Sequence, residues 1–314
     1  MGLAIGVDLG GTKIAAGLVD DAGVIVSQNR RPTPVNSSDA VIACVVELVS
    51  ELSADIAVDG VCVAVPGFVD AGRSTLKFTP NLPMKNIELK SILQTALNLP
   101  VVVENDANAA AWAEARFGAA RGASNSVMLT VGTGLGGGIV IDDRLIRGAA
   151  GFAAELGHMT MVIDGLHCGC GLKGCWEQYC SGNALLRTAR KLAAKNRNEA
   201  SILLGFGDGS PEGIQGPHIT SAAQADCPIA IAAFNEVGLR LGIGMATVSA
   251  ILDPEIFVVG GGVIEAGELL LAPARKAFEA HITARTHRVL PDIVAATLGN
   301  DAGIVGAADL ARNI

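Results

Sequence analysis

Two glycine-rich turns, each set between apolar strands, constrain this chain more than any other feature. Residues 5–9 read as a strand, Gly10-Gly11-Thr12 as a turn and 13–19 as the returning strand. Asp20-Asp21-Ala22-Gly23 then leads into a third strand at Val24-Ile25-Val26. The order recurs downstream, with a strand over 126–131, the turn Gly132-Thr133-Gly134-Leu135-Gly136-Gly137 and a returning strand over 138–141 before an acidic turn. The repeat reads as an internal duplication, two αβ halves that each open with a hairpin. Helical spacing of apolar residues over 39–54, with Ser37 or Ser38 as N-cap, adds a helix. Further helices are expected over 87–97, 107–117, 228–252 and 301–312, strands over 61–65, 101–103 and 255–259, and a loop over 205–217. Strands alternating with helices give an α/β class.

The turns have chemistry of their own. In Asp8-Leu9-Gly10-Gly11-Thr12-Lys13 the glycines let backbone N–H groups approach an anion, Thr12 adds a hydroxyl and Lys13 a cation. Asp8, at the strand end, is placed to hold Mg²⁺ or its waters. The segment is not a P-loop, and a strand follows where a dinucleotide-binding turn needs a helix. Gly132-x-Gly134-x-x-Gly137 matches the dinucleotide string but is also followed by a strand, which excludes NAD. Gly260-Gly261-Gly262, after a strand, is either a third nucleotide contact or a plain strand-to-helix turn.

His158, Cys168, Cys170 and Cys175 supply one imidazole and three thiols within a short glycine-rich stretch. Cys3His is a common tetrahedral zinc set, and with all four positions filled by protein the zinc would be structural. His167 is an alternative ligand with an awkward bite, and Cys180 is a spare expected to be buried on the next helix.

Asp106 stands at the end of an apolar strand beside Asn105, where open α/β sheets face their ligands. Its carboxylate either takes a hydroxyl proton during phosphoryl transfer or simply caps the helix that follows. Glu155 and Glu177 flank the cysteine loop, and carboxylates that accept paired hydroxyls suit a sugar.

The 314 residues allow two domains, and the formal net charge of −8 gives no basic surface for nucleic acid or an anionic membrane. No uninterrupted apolar run reaches the roughly 18 residues that a membrane span needs, and residues 3–7 read as a strand, not a signal peptide. Seven unevenly spread cysteines fit reduced cytoplasmic thiols plus a metal site better than a disulfide framework.

These motifs resemble the ROK family of sugar kinases and repressors, and most closely its bacterial glucokinases. The resemblance runs end to end, through Asp8 to Lys13, Pro66-Gly67, Glu104-Asn105-Asp106-Ala107-Asn108, Gly132 to Gly138, Glu155-Leu156-Gly157-His158 and the Cys168–Glu177 stretch. It implies an actin-like (RNase H-like) fold with two α/β domains round a central cleft. The expected domains are 1–106, joined by a returning C-terminal helix at 301–314, and 107–300 with the zinc loop. It implies ATP-dependent phosphorylation of glucose at the 6-hydroxyl, with Asp106 as base. Gly67, Asn105, Glu155, His158 and Glu177 would hold the sugar, His158 using one ring nitrogen for zinc and the other for a hydroxyl. Gly10, Gly11, Thr12, Lys13, Thr133, Gly134, Gly261 and Gly262 would hold the nucleotide. A homodimer or homotetramer is usual in the family. Mannose, fructose or N-acetylmannosamine as substrate, polyphosphate as donor, and a non-catalytic sugar sensor stay open. The first phosphate turn begins at residue 8, which leaves no room for the repressors' helix-turn-helix. One departure from the family is Met84-Lys85 after Pro80-Asn81-Leu82-Pro83, where many relatives carry tryptophan.

Overall fold

The computed structural model describes residues 2–79 and 82–312. By internal contacts the chain forms two compact units, one of Met1–Met128, Gly137–Ala154 and Ala296–Ile314, the other of Leu129–Gly136 and Glu155–Ala295.

The first unit is built on strands β1 (Ala4–Leu9), β2 (Lys13–Val19), β3 (Ile25–Pro32), β4 (Val61–Val65) and β8 (Val101–Asn105), in the order β3-β2-β1-β4-β8. The hairpin strands pair antiparallel, whereas β1, β4 and β8 run parallel. Strand pleating sends alternate residues to opposite faces. Ile5, Val7, Leu9, Val61, Val63 and Val65 pack beneath α1 (Ser38–Leu52) and α2 (Leu89–Leu97). On the other face Ala4, Cys62 and Ala64 meet α3 (Asp106–Phe117) and α10 (Ala302–Ala311). The side chains there are small because helix backbone lies almost on the sheet. A Cβ at Gly6 would stand 1.9 Å from the Ile304 carbonyl oxygen. Ser37 caps α1, its hydroxyl accepting the Ala40 N–H at 3.1 Å.

A small sheet of β5 (Phe68–Val69), β6 (Leu76–Phe78) and β7 (Lys85–Ile87) was not foreseen, because its strands are too short to show a period. Met84 is buried in the first core, while Pro80 and Asn81 lie outside the described residues.

A second five-stranded sheet comprises β9 (Ser126–Val131), β10 (Leu135–Ile141), β11 (Arg144–Leu145), β12 (Ile256–Gly260) and β13 (Asp292–Ala295). Its order, β11-β10-β9-β12-β13, repeats that of the first, so the duplication expected from the hairpins is present in the strand order. Several bounds differ from expectation by a residue or two, and two differ by more. β10 starts at Leu135 because the turn is only three residues long, and β3 runs on to Pro32 as a half-exposed edge partner of β2.

The second unit holds α4 (Glu177–Cys180), α5 (Gly182–Lys195), α6 (Ser201–Gly205), α7 (Gly216–Gln224), α8 (Pro228–Leu252) and α9 (Glu268–His281). The loop before α7 is therefore shorter than 205–217. Helix α8 is long and apolar enough to cross a bilayer by length and composition, although Asn235, Glu236 and Arg240 interrupt its apolar run, and 61% of its most apolar stretch is buried inside the fold. It packs closely on α9, where a Cβ at Gly242 would sit 2.1 Å from the Ala274 carbonyl oxygen.

Candidate active site

In the first unit, three neighbouring parallel strands end together and bring three motifs to one sheet edge. Asp8 pairs in register with Ala64, Ala64 with Glu104, and Val65 with Asn105. Gly67, one residue past β4 after Pro66, takes a φ of 143°, open to glycine alone, with the Phe78 carbonyl oxygen 2.2 Å from where a Cβ would stand. Its own carbonyl accepts the Asn105 Nδ2–H at 3.1 Å. Asn105 Oδ1 accepts the Asn108 N–H at 3.0 Å, so Asn105 is the N-cap of α3. Asp106 is thereby the first helical residue, its Oδ1 accepting the Ala107 N–H at 2.9 Å, and the capping role considered for it belongs to its neighbour.

The first glycine turn is tied at its base. The Gly10 N–H donates to the Lys13 carbonyl at 3.0 Å, and the Thr33 hydroxyl donates to the Gly10 carbonyl at 2.6 Å. Thr12 and Lys13 are left exposed at the tip. Burial raises the half-buried Asp8 carboxyl above the ordinary range, against the pull of Lys13. Asp8 is the residue of this turn that would hold a hard cation, whose charge would draw its proton off.

The second unit gathers its candidate residues around Glu177. Glu177 Oε1 accepts the Cys168 thiol at 3.0 Å, and Oε2 lies 3.4 Å from the Leu135 N–H. One carboxylate thus touches both the cysteine loop and the second glycine turn. That turn is closed by the Gly132 N–H on the Gly134 carbonyl at 3.0 Å, and the Gly182 N–H of α5 donates to the Gly132 carbonyl at 2.7 Å. Thr133 is exposed at its tip. Gly261, at a φ of 85°, lies against Val131, where a Cβ would meet the Val131 carbonyl oxygen at 2.6 Å. This brings Gly261 beside the turn, and Gly262 opens the following 3-10 turn.

The donor atoms of His158, Cys168, Cys170 and Cys175 all lie within 4.8 Å of one another. Cys168 Sγ is 3.6 Å from His158 Nδ1, and Cys170 Sγ is 3.6 Å from Cys175 Sγ. A tetrahedral zinc with bonds of about 2.3 Å to sulfur and 2.0 Å to nitrogen separates such donors by about 3.5–3.8 Å. The cluster therefore fits zinc by donor type and by spacing. His167 is not among the four. Cys180 is buried on α4, its thiol directed at the Trp176 carbonyl. His158 turns Nδ1 to the thiols and Nε2 to Glu155, 3.9 Å from Oε2. Burial raises the Glu155 carboxyl, opposed by His158 and reinforced by Glu177.

Sequence reading passed over Glu104 and Arg147 as site residues. Glu104 is 2% exposed, and Arg147 Nε donates to its Oε2 at 2.7 Å. The available signal was a lone carboxylate at the end of an apolar strand, directly before Asn105-Asp106.

The ROK family pattern matches residues 4–314, and the chain belongs to that family. A glucokinase of Streptomyces coelicolor is 47% identical over 99% of this chain and 98% of its own length. One from Thermotoga maritima is 36% identical over 98% of this chain and 96% of its own. The crystal structure of a ROK family glucokinase from Streptomyces griseus in complex with glucose and AMPPNP superposes with a TM-score of 0.89 at 47% identity, covering all of both chains. The fold is the actin-like ATPase fold of ROK kinases, α/β as the sequence pattern predicts.

Proposed function

We propose that this chain transfers the γ-phosphoryl group of ATP to the 6-hydroxyl of glucose. The observation that carries the reading is the full-length similarity to the Streptomyces griseus enzyme, whose structure holds glucose and AMPPNP. In the reaction Asp106 accepts the O6 proton as O6 bonds to the γ-phosphorus, the bond to the β–γ bridging oxygen breaks, and ADP leaves. Asn105, the Gly67 backbone, Glu155, His158 Nε2 and Glu177 hold the sugar hydroxyls. Backbone amides of Gly10, Gly11, Thr133, Gly134, Gly261 and Gly262, with the Thr12 hydroxyl and Lys13, hold the nucleotide and spread its charge. Asp8 would hold Mg²⁺, which neutralises phosphate charge when bound. His158, Cys168, Cys170 and Cys175 would hold a structural zinc that fixes the loop carrying Glu177. A homodimer or homotetramer in the cytoplasm is part of this reading, since the seven cysteines are all free thiols and the cytoplasm keeps thiols reduced.

The test is ADP release by purified protein with ATP, Mg²⁺ and a panel of glucose, mannose, fructose and N-acetylmannosamine, with the phosphorylated carbon identified by NMR. Glucose should give the highest kcat/KM and yield the 6-phosphate. Preference for another hexose, or for polyphosphate as donor, discards the glucose–ATP assignment. Inertness toward all of them refutes the kinase reading.

A further inference from the structure

Glu104 is a carboxylate at the end of a strand that is otherwise apolar except for Asn105, and it is only 2% exposed. Burying a charge costs several kcal/mol unless it is paired and hydrogen-bonded. All of its partners lie in the first unit. Oε1 accepts the Asn105 N–H and the Asn108 Nδ2–H, each at 3.1 Å. Oε2 accepts Arg147 Nε–H at 2.7 Å and lies 3.5 Å from Arg73 Nε.

The backbone explains why a side chain is needed here. Strand β8 is the edge of its sheet, so every second N–H faces away from β4 without a ladder partner. The Val103 N–H turns outward and finds the Arg73 carbonyl at 3.0 Å. The next outward N–H is that of Asn105, and it finds Glu104. The turn carrying Arg73 is itself fixed, with Asp70 Oδ1 accepting the Ser74 and Thr75 N–H groups and Arg73 Nη2 donating to the Leu310 carbonyl of α10. One carboxylate oxygen therefore grips the residue before Asp106 and the residue two after it, and two arginines hold that carboxylate in place.

We infer that Glu104 is the positioning residue for the base: with Arg147 and Arg73 it fixes the Asn105 backbone and the Asn108 side chain on either side of Asp106 and so sets where the Asp106 carboxylate stands. The inference rests on the assignment of Asp106 as base in glucose phosphorylation. A displacement of about 1 Å at a reacting group costs on the order of a hundredfold in rate. Glu104→Gln keeps the shape but places an amide where Arg147 needs a carboxylate.

The experiment compares the wild type with Glu104→Gln in two readouts. Kinetics on glucose and ATP should show kcat lowered by about ten- to a hundredfold with both KM values within about threefold, because transition-state geometry is lost and not substrate binding. Amide hydrogen exchange should quicken by at least about tenfold over 104–108 and stay unchanged in the rest of the sheet. A merely structural role would lower thermal stability without splitting kcat from KM. Unchanged exchange over 104–108, or wild-type turnover in folded Glu104→Gln, overturns the inference. A wild type inert toward every hexose refutes the kinase reading instead, and exchange then decides alone whether Glu104 holds the segment. If Glu104→Gln does not fold, Arg147→Lys replaces it. That side chain is 26% exposed, and the variant should shift both readouts in the same direction by less.

Discussion

Cys168 Sγ lies 3.0 Å from Glu177 Oε1, so the cysteine loop sits directly against the carboxylate that the proposal assigns to the sugar. The loop has little apolar packing to fix it; Ile163 and Leu172 are exposed. The proposed zinc, joining His158 to the three thiols, would supply that order. Cys175→Ser should lower the zinc content from about one per chain to near zero and raise the KM for glucose by about tenfold or more, as loss of ligand positioning does. Metal analysis and glucose saturation curves check this. Trp176, next to Cys175, is fully buried with Nε1 donating to the Arg240 carbonyl at 2.9 Å, so its emission should shift to the red in the same variant.

Thiol chemistry gives a second measure of the loop. Burial pushes the Cys62 thiol up to about 12, the Cys180 thiol well above its ordinary value and the Cys44 thiol upward as well, and Cys227 is fully buried. A thiol of that acidity is ionised to only about one part in ten thousand at pH 8, and the thiolate is the reactive form. The proposed zinc would mask Cys168, Cys170 and Cys175. A disulfide reagent at pH 8 should therefore find almost no fast thiol in the native protein, and those three should appear on chelation. Fast labelling of all three before chelation would count against a bound metal.

Asp106→Asn isolates the base. The asparagine side-chain oxygen can still accept the Ala107 N–H, so the start of α3 is preserved while the proton acceptor is lost. The expected outcome is kcat lower by about 10²–10⁴ with the KM for glucose changed by less than about threefold. Steady-state kinetics beside a thermal melt separate this from misfolding.

What was legible in the sequence follows from which forces act locally. The first hairpin turn, the Ser37 cap, helix α8 and the Cys3His set rest on short-range rules, and each is where those rules place it, whereas the second turn closes three residues earlier than its run of glycines suggests. The strand order could be anticipated because the two hairpins are alike. Helix α9 was invisible because its pattern is interrupted at Pro273, whose ring fits only because Gly238 of α8 has no side chain, a reason that lies on another helix. Glu104 escaped for a related cause. Its partners Arg73 and Arg147 are remote in sequence, and only the edge position of β8 shows that Asn105 needs an acceptor.

Asp8 should set function against stability. Its folded-state pKa is raised by burial, so the native protein holds that proton more tightly than the unfolded chain does. Stability contributed by this group therefore falls as pH rises from the unfolded value through the raised native value, and the deficit persists at neutral pH. Asp8→Asn removes it. Without Mg²⁺ or nucleotide, the variant should melt above wild type at pH 7, and the gap should close as the pH falls through that window. Its kcat should drop by about a hundredfold or more, because the Mg²⁺ that would neutralise phosphate charge loses the carboxylate proposed to hold it. A melting difference that does not vary with pH would show that Asp8 contributes no such linkage.

Ala154 precedes Glu155 and holds a φ of 68°, a conformation that costs a residue with a Cβ roughly 1–2 kcal/mol. The side chain is nearly buried at 9% exposure, and glycine would adopt the same backbone freely. Part of that gain is offset by the greater freedom of glycine in the unfolded chain. Ala154→Gly should accordingly stabilise the protein by about 0.5–1 kcal/mol, seen as a higher urea midpoint with an unchanged slope. The same freedom loosens the backbone that aims Glu155, so the KM for glucose should rise by about two- to threefold while that for ATP stays constant. Higher stability with unchanged glucose affinity would mean that Glu155 is held by its His158 contact alone. Lower stability would mean that contacts of the Ala154 methyl outweigh the strain it bears.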